Sequence, residues 1–272
     1  MNNLFDLIDL RLSSLKDFQD TKLACDVLSK INEFGKDFIP TVYGLYQPLK
    51  NKYDPSNISE VIKFWMNEEN NKNNIQDCYA AGQLLMEKKV GHKVSYQMRW
   101  EKDNQARFNL FCMRVDISYL KDKDNYINFI KLCKELTSLM EPVYGEIVNL
   151  SYPGWDTPIN LQVRLPEISW ALILGKPYIK MFGEERILST PCHSIHTISD
   201  NVIELQLTDS LFEPIPSSVR TSVKKHLGVE AFVEEGKSYR SYSTSKVPEF
   251  DFSGILFDKT KPIVEPQIRT KE

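Results

Sequence analysis

Catalysis needs acids, bases or metal ligands brought close together, and this chain of 272 residues offers few of them. Its four histidines are His92, His193, His196 and His226. Cys192, His193 and His196 have the composition of a ligand cluster, but residues three apart on a strand point to opposite faces, so one zinc ion could not take both imidazoles. The favoured reading is the start of a strand with one histidine in solvent and no metal. His226 falls beside the apolar stripe of a predicted helix and reads as a boundary residue. A second constellation is Asp77 followed by Glu87-Lys88-Lys89, the order of acid, spacer, acid and lysine used by restriction-type nucleases. Two carboxylates would hold Mg²⁺ and the lysine would orient water. Against this, Glu-x-Lys arises by chance in a charged chain, Asp77 lies in a predicted loop, and charge on an edge strand already serves to discourage aggregation. The favoured reading therefore assigns no catalytic residues, and a Mg-dependent nuclease using Asp77, Glu87 and Lys89 is the alternative. The common hydrolase, P-loop, zincin and dinucleotide signatures are all absent.

Composition points the same way. Lys plus Arg number 34 and Asp plus Glu 37, with 42% hydrophobic and 26% charged residues, which excludes disordered, collagen-like and coiled-coil chains. A net charge of -3 supplies no basic footprint for nucleic acid or an anionic membrane. The five cysteines are odd in number, scattered and without C-x-x-C spacing, so they form neither a disulfide framework nor a four-cysteine zinc site. They fit a reducing compartment as small apolar residues. Asp6 and Asp9 interrupt the N-terminal apolar run that a signal peptide would need, and no stretch approaches the roughly 20 apolar residues of a membrane span. A cytoplasmic protein without cofactors is expected.

The elements that would position any site follow from periodicity. Leu4 to Leu12 alternates as a strand, and a helix follows Asp20, with Leu23, Val27, Leu28 and Ile31 on one face and Gly35 at its end. Asn57 to Met66 reads as a short helix, and Glu68 to Asp77 as a polar loop. Ala81–Lys89, Val94–Trp100 and Arg107–Ile117 alternate as strands joined by turns at Gly91-His92 and Asp103-Asn104. Asp124–Met140 carries a helical stripe, and Pro142 ends it before a strand from Val143 to Leu150. Ser194–Thr208 contains a period of two, and Ser217 is placed to cap a last helix. The expected class is α+β, with antiparallel or mixed sheets, helices on one face, and two ferredoxin-like halves (1–150 and 151–235) as one arrangement that fits. The segment 236–272, rich in Pro, Ser, Thr and Lys, is expected to be loosely ordered or draped over the surface.

One region carries a resemblance. Leu165-Pro166-Glu167-Ile168-Ser169-Trp170, then Gly175-Lys176-Pro177-Tyr178, then Phe182-Gly183-Glu184-Glu185 resembles bacterial polymorphic-toxin immunity proteins, particularly the immunity protein 52 type and related type VI secretion immunity proteins. The resemblance runs diffusely from Tyr152 to Phe232. It implies a non-catalytic protein whose partner is a cognate protein toxin, with neither nucleic acid nor membrane involved. A structural adaptor with no toxin is a further alternative. Physically Pro166, Trp170, Gly175, Pro177, Tyr178 and Gly183 read as scaffold: prolines fix φ, glycines permit tight turns and aromatics fill the core. Two acidic surfaces are the expected toxin contacts. One is Glu68 and Glu69 with Trp65 as an aromatic anchor, and the other is Asp209, Glu213, Glu234 and Glu235.

Overall fold

The computed structural model describes residues 6–67, 81–152 and 160–264. Among them the chain forms ten strands and seven helices of the α+β class. The first strand, β1 (Leu7–Ser14), realises the N-terminal alternation: Ile8, Leu10 and Leu12 face one layer, and Leu7, Asp9, Arg11 and Ser13 the other. Helix α1 (Thr21–Glu33) is capped by the Asp20 carboxylate, which accepts from the Lys22 backbone N–H, and buries Leu23, Ala24, Val27, Leu28 and Ile31. Short strands β2 (Val42–Gly44) and β3 (Asn51–Lys52) precede α2 (Ile58–Met66). The three alternating runs become β4 (Ala81–Lys88), β5 (Val94–Glu101) and β6 (Asn109–Asp116), followed by the single turn α3 (Ile117–Leu120).

The longest helix, α4 (Lys123–Met140), is capped by Asp122, whose carboxylate accepts from two backbone N–H groups. It leads into β7 (Pro142–Asn149), and β8 (Ala171–Gly175) follows. Helices α5 (Lys176–Phe182) and α6 (Glu184–Leu188) come next, then the hairpin β9 (Ser194–Ser199) and β10 (Val202–Gln206), and α7 (Ser217–Leu227). The period of two in 194–208 is thus two strands and a turn. Pro216, not Ser217, takes the cap position of α7, and no side chain caps it there.

All ten strands join one sheet in the order β3-β2-β4-β5-β6-β1-β7-β8-β10-β9, every pairing antiparallel. The expected halves are therefore fused through the β7–β8 pair rather than closed separately. Each half carries its helices on one face, but the faces are opposite. α1, α2 and α4 cover Leu84, Met86, Tyr96, Met98, Phe111, Met113, Leu10 and Ile147. α5, α6 and α7 pack on the other side against Leu172, Leu174, Ile203 and Leu205. Strand β8 contributes Ala171 and Ile173 to the first layer and Leu172 and Leu174 to the second, which explains why its sequence is continuously apolar rather than alternating.

The resembling region builds the second layer. Trp170 is buried and donates from Nε1 to the Thr208 carbonyl at 3.0 Å, and buried Tyr178 donates to the Leu161 carbonyl at 3.4 Å. Pro177 lies in the first turn of α5, and Gly183 ends that helix at φ 86°, a conformation that favours glycine. Pro166 is buried in the connection before β8. The C-terminal segment as far as residue 264 drapes over the surface. Its Phe250 and Phe252 rings meet Phe108, with centroids 4.8 and 5.1 Å away.

Gly175 decides how closely β8 can enter α5: a Cβ there would lie 2.0 Å from the Pro142 carbonyl oxygen and 2.7 Å from the Val143 Cα. Both obstacles are backbone. Gly175→Ala should destabilise the fold by about 2–3 kcal/mol in urea titrations, in the range of overpacked cores.

Candidate functional site

With the second half's helices on the opposite side, the outer face of β4, β5, β6 and β1 carries no helix among the described residues. Gln83, Leu85 and Glu87 of β4, Ser95, Gln97 and Arg99 of β5, and Leu110, Cys112 and Arg114 of β6 point to it. Most are half-buried, as expected for a sheet face in contact with solvent.

The floor of this face is a charge network spanning three strands. Asp9 is fully buried, and its Oδ2 accepts from Arg11 Nε at 2.8 Å and from Arg114 Nε at 3.3 Å. Arg11 Nη1 donates to Glu146 Oε1 at 3.1 Å, and Glu146 Oε2 accepts from Ser169 Oγ at 2.6 Å and the Tyr144 hydroxyl at 3.3 Å. Strand register places these partners side by side, Asp9 opposite Arg114 on β6 and Arg11 opposite Glu146 on β7. Burial lifts the Glu146 carboxyl above its ordinary range, while Arg11, Ser169 and Tyr144 pull it back. Burial also raises the Cys112 thiol beside it, so that thiol stays protonated. The network ties β6, β1 and β7 together through paired charges.

The sequence candidates fall in several places. Asp77, Glu68 and Glu69 lie outside the described residues. Glu87 and Lys89 sit at the end of β4, but each is engaged with the β2–β3 connection: Gln47 Nε2 donates to Glu87 Oε2 and Lys89 Nζ donates to the Leu49 carbonyl, both at 3.3 Å. Trp65 is buried at 1% exposure and stacked on Trp100 with ring centroids 6.2 Å apart. It therefore belongs to the core and cannot be the surface anchor expected of it, because the apolar stripe of α2 turns it inward.

Asp209 and Glu213 lie on the β10–α7 connection. Asp209 is exposed 3.6 Å from His193 Nε2, and Glu213 borders a cleft of about 30 Å³ with Trp170 and Arg220. Glu234, beyond α7, pairs with Lys237 at 2.7 Å, and Glu235 is exposed. Among the described residues, no ion pair or hydrogen bond ties the first two acids to the last two. His196 lies within β9 and His193 just before it. Among the described residues, no three of His, Cys, Asp and Glu gather as metal ligands.

A different pair of acids does meet. Glu101 ends β5 with 5% exposure, within hydrogen-bonding reach of Asp103, and burial pushes its carboxyl up to about 7, with Asp103 adding to the rise and Arg107 and Arg99 opposing it. Glu101 Oε2 and Asp103 Oδ1 are both buried without a hydrogen-bond partner. Neither this pair nor the three-strand network stood out in the sequence. Its only trace is charge at alternate positions, Asp9-x-Arg11 and Glu101-x-Asp103.

Comparison with known proteins gives a fold and little more. No protein-family model matches the chain, and no curated protein matches it. Among solved structures, it is similar to the Pseudomonas aeruginosa T6SS protein PA0821, with a TM-score of 0.54 at 12% identity, over 93% of this chain and 83% of that one. Among the described residues, no helix is long and apolar enough to cross a membrane.

Two outcomes follow. Arg11→Met leaves two buried carboxylates without their shared cation and should cost about 3–5 kcal/mol in urea titrations. Glu101 has a folded pKa of about 7 against an ordinary 4.5, so the folded state holds its proton more tightly than the unfolded state. In chelator-containing buffer its contribution should weaken as pH rises from 4.5 to about 7 and level off above. Glu101→Gln should remove that slope from the pH dependence of unfolding.

Proposed function

We propose that the chain is a non-catalytic immunity protein that binds a cognate bacterial toxin stoichiometrically in the cytoplasm, using the helix-free face of β4, β5, β6 and β1. The observation that carries this reading is the fold it shares, over nearly its whole length, with a T6SS protein. The sequence resemblance to type VI secretion immunity proteins agrees with it. The face offers what a protein partner needs: half-buried Leu85 and Leu110 among mixed polar and charged groups, above a floor stiffened by ion pairs. Glu87 and Lys89, the core of the nuclease alternative, hold a neighbouring loop.

The test is a tagged pull-down from the source cells with mass spectrometry. The expected outcome is one co-eluting toxin domain, bound more than about tenfold more weakly by Leu85→Lys and by Leu110→Lys, a loss of about 1.4 kcal/mol. The melting temperatures of these variants should be unchanged. Mg²⁺-dependent cleavage of nucleic acid by the purified chain, abolished by Glu87→Ala without loss of fold, would overturn the proposal.

A further inference from the structure

The two ends of the sheet are finished differently. At one end β3 has only two residues and carries the exposed Lys52, a short charged edge of the kind that discourages another strand from pairing. At the other end β9 runs for six residues, Ser194-Ile195-His196-Thr197-Ile198-Ser199, without Lys, Arg, Asp, Glu, Pro or Gly. β10 is its only strand partner among the described residues, so its outer row of backbone N–H and C=O groups is a template for one more strand. Residues 194–197 pair with β10 in regular register, and the shift comes only at Ile198. Ile195 is half-buried against the second layer and Ile198 against the first, so the strand shows apolar surface on both faces of the sheet. Beside it, α4 forms the other wall of a groove of about 420 Å³, lined by Lys134, Glu135 and Ser138 of the helix and residues 195–198 of the strand.

We propose that β9 is where a second copy of this chain pairs, antiparallel across a two-fold axis normal to the sheet, so that one sheet runs through both copies. Such an axis keeps each layer on its own side of the combined sheet. The two α4 helices then flank the seam on one face, and the grooves beside the two β9 strands open onto each other. Each copy brings Lys134 and Glu135 to that seam, one charge of each sign, so opposite charges are available to face each other across the axis. A strand without Lys, Arg, Asp or Glu also sets no like charges against itself when it meets its own copy, which is the condition that self-pairing imposes. Strands β7, β8 and β10 separate this edge from β1, so pairing there leaves the helix-free face open and does not depend on its proposed partner.

The test uses the full-length protein alone. Sedimentation velocity and light scattering over about a hundredfold dilution should show a dimer that dissociates as the concentration falls. Thr197 is the exposed residue of β9, and Thr197→Lys and Thr197→Glu each place two like charges near the axis, so each should weaken dimerisation more than about tenfold. Mixing the two variants in equal amounts should restore the dimer, because unlike charges then meet. Where a variant does not fold, amide hydrogen exchange on the unaltered chain decides, since the outer-edge amides of β9 should exchange more slowly in the concentrated protein than in the dilute one. A chain that stays monomeric at the highest concentration, a dimer indifferent to both substitutions, or a mixture of variants that stays monomeric overturns the proposal. Protection of the β9 amides only when a captured protein is added overturns it as well and gives the edge to that protein.

Discussion

Asp9 sits without solvent exposure near the middle of a ten-stranded sheet, where Arg11 and Arg114 both donate to its Oδ2. The first strand of the chain is the sixth across the sheet, so the two stretches of strands on either side of it meet through β1. Its inward residues, Ile8, Leu10 and Leu12, belong to the main core, while its outward residues tie β6 to β7 through ions. A one-residue slip of β1 would exchange these sets, burying Asp9 and Arg11 under the helices and exposing the leucines. The pairing of charges across β6, β1 and β7 therefore fixes register as well as filling space.

That register also decides which surface is left for function. The N-terminal helices occupy one side of the sheet and the C-terminal helices the other, offset along the strand order, so β7 and β8 are covered on both faces. The outer side of β4, β5, β6 and β1 has no such cover among the described residues. A polar face backed by a fully packed core moves little on binding, which reduces the ordering cost that association must overcome. On this face burial keeps the Cys112 thiol protonated, and Arg11 and Arg114 both pair with Asp9.

Local pattern carried much of the fold. α1, α4 and the run from β4 to β6 follow from helical stripes, capping aspartates and strict alternation, all of which are short-range properties. What the sequence hides is choice of partner. Asp9 and Arg114 are 105 residues apart and Arg11 and Glu146 are 135 apart, so nothing local marks them as one network. Trp65 shows the converse: a tryptophan beside an acidic loop suggests an anchor, but the facing Trp100 on β5 claims its ring for the core. Phe250 and Phe252, in a segment of weak apolar content, find Phe108 and hold the C-terminal stretch on the surface. In 165–183, Tyr178 packs in the second layer, Pro177 lies in the first turn of α5 and Gly175 lies against the Pro142 backbone.

Hydroxyl-radical footprinting of the chain alone and in complex with the protein it captures tests the central claim most directly, because it reports the exposure of individual side chains. Leu85, Gln97, Leu110 and Arg114 should lose reactivity on complex formation, while Met181 and Leu188, exposed on α5 and α6 at 38% and 46%, should keep theirs. Protection of Met181 and Leu188 with unchanged reactivity across β4, β5 and β6 would contradict the account and move the partner to the opposite side of the sheet.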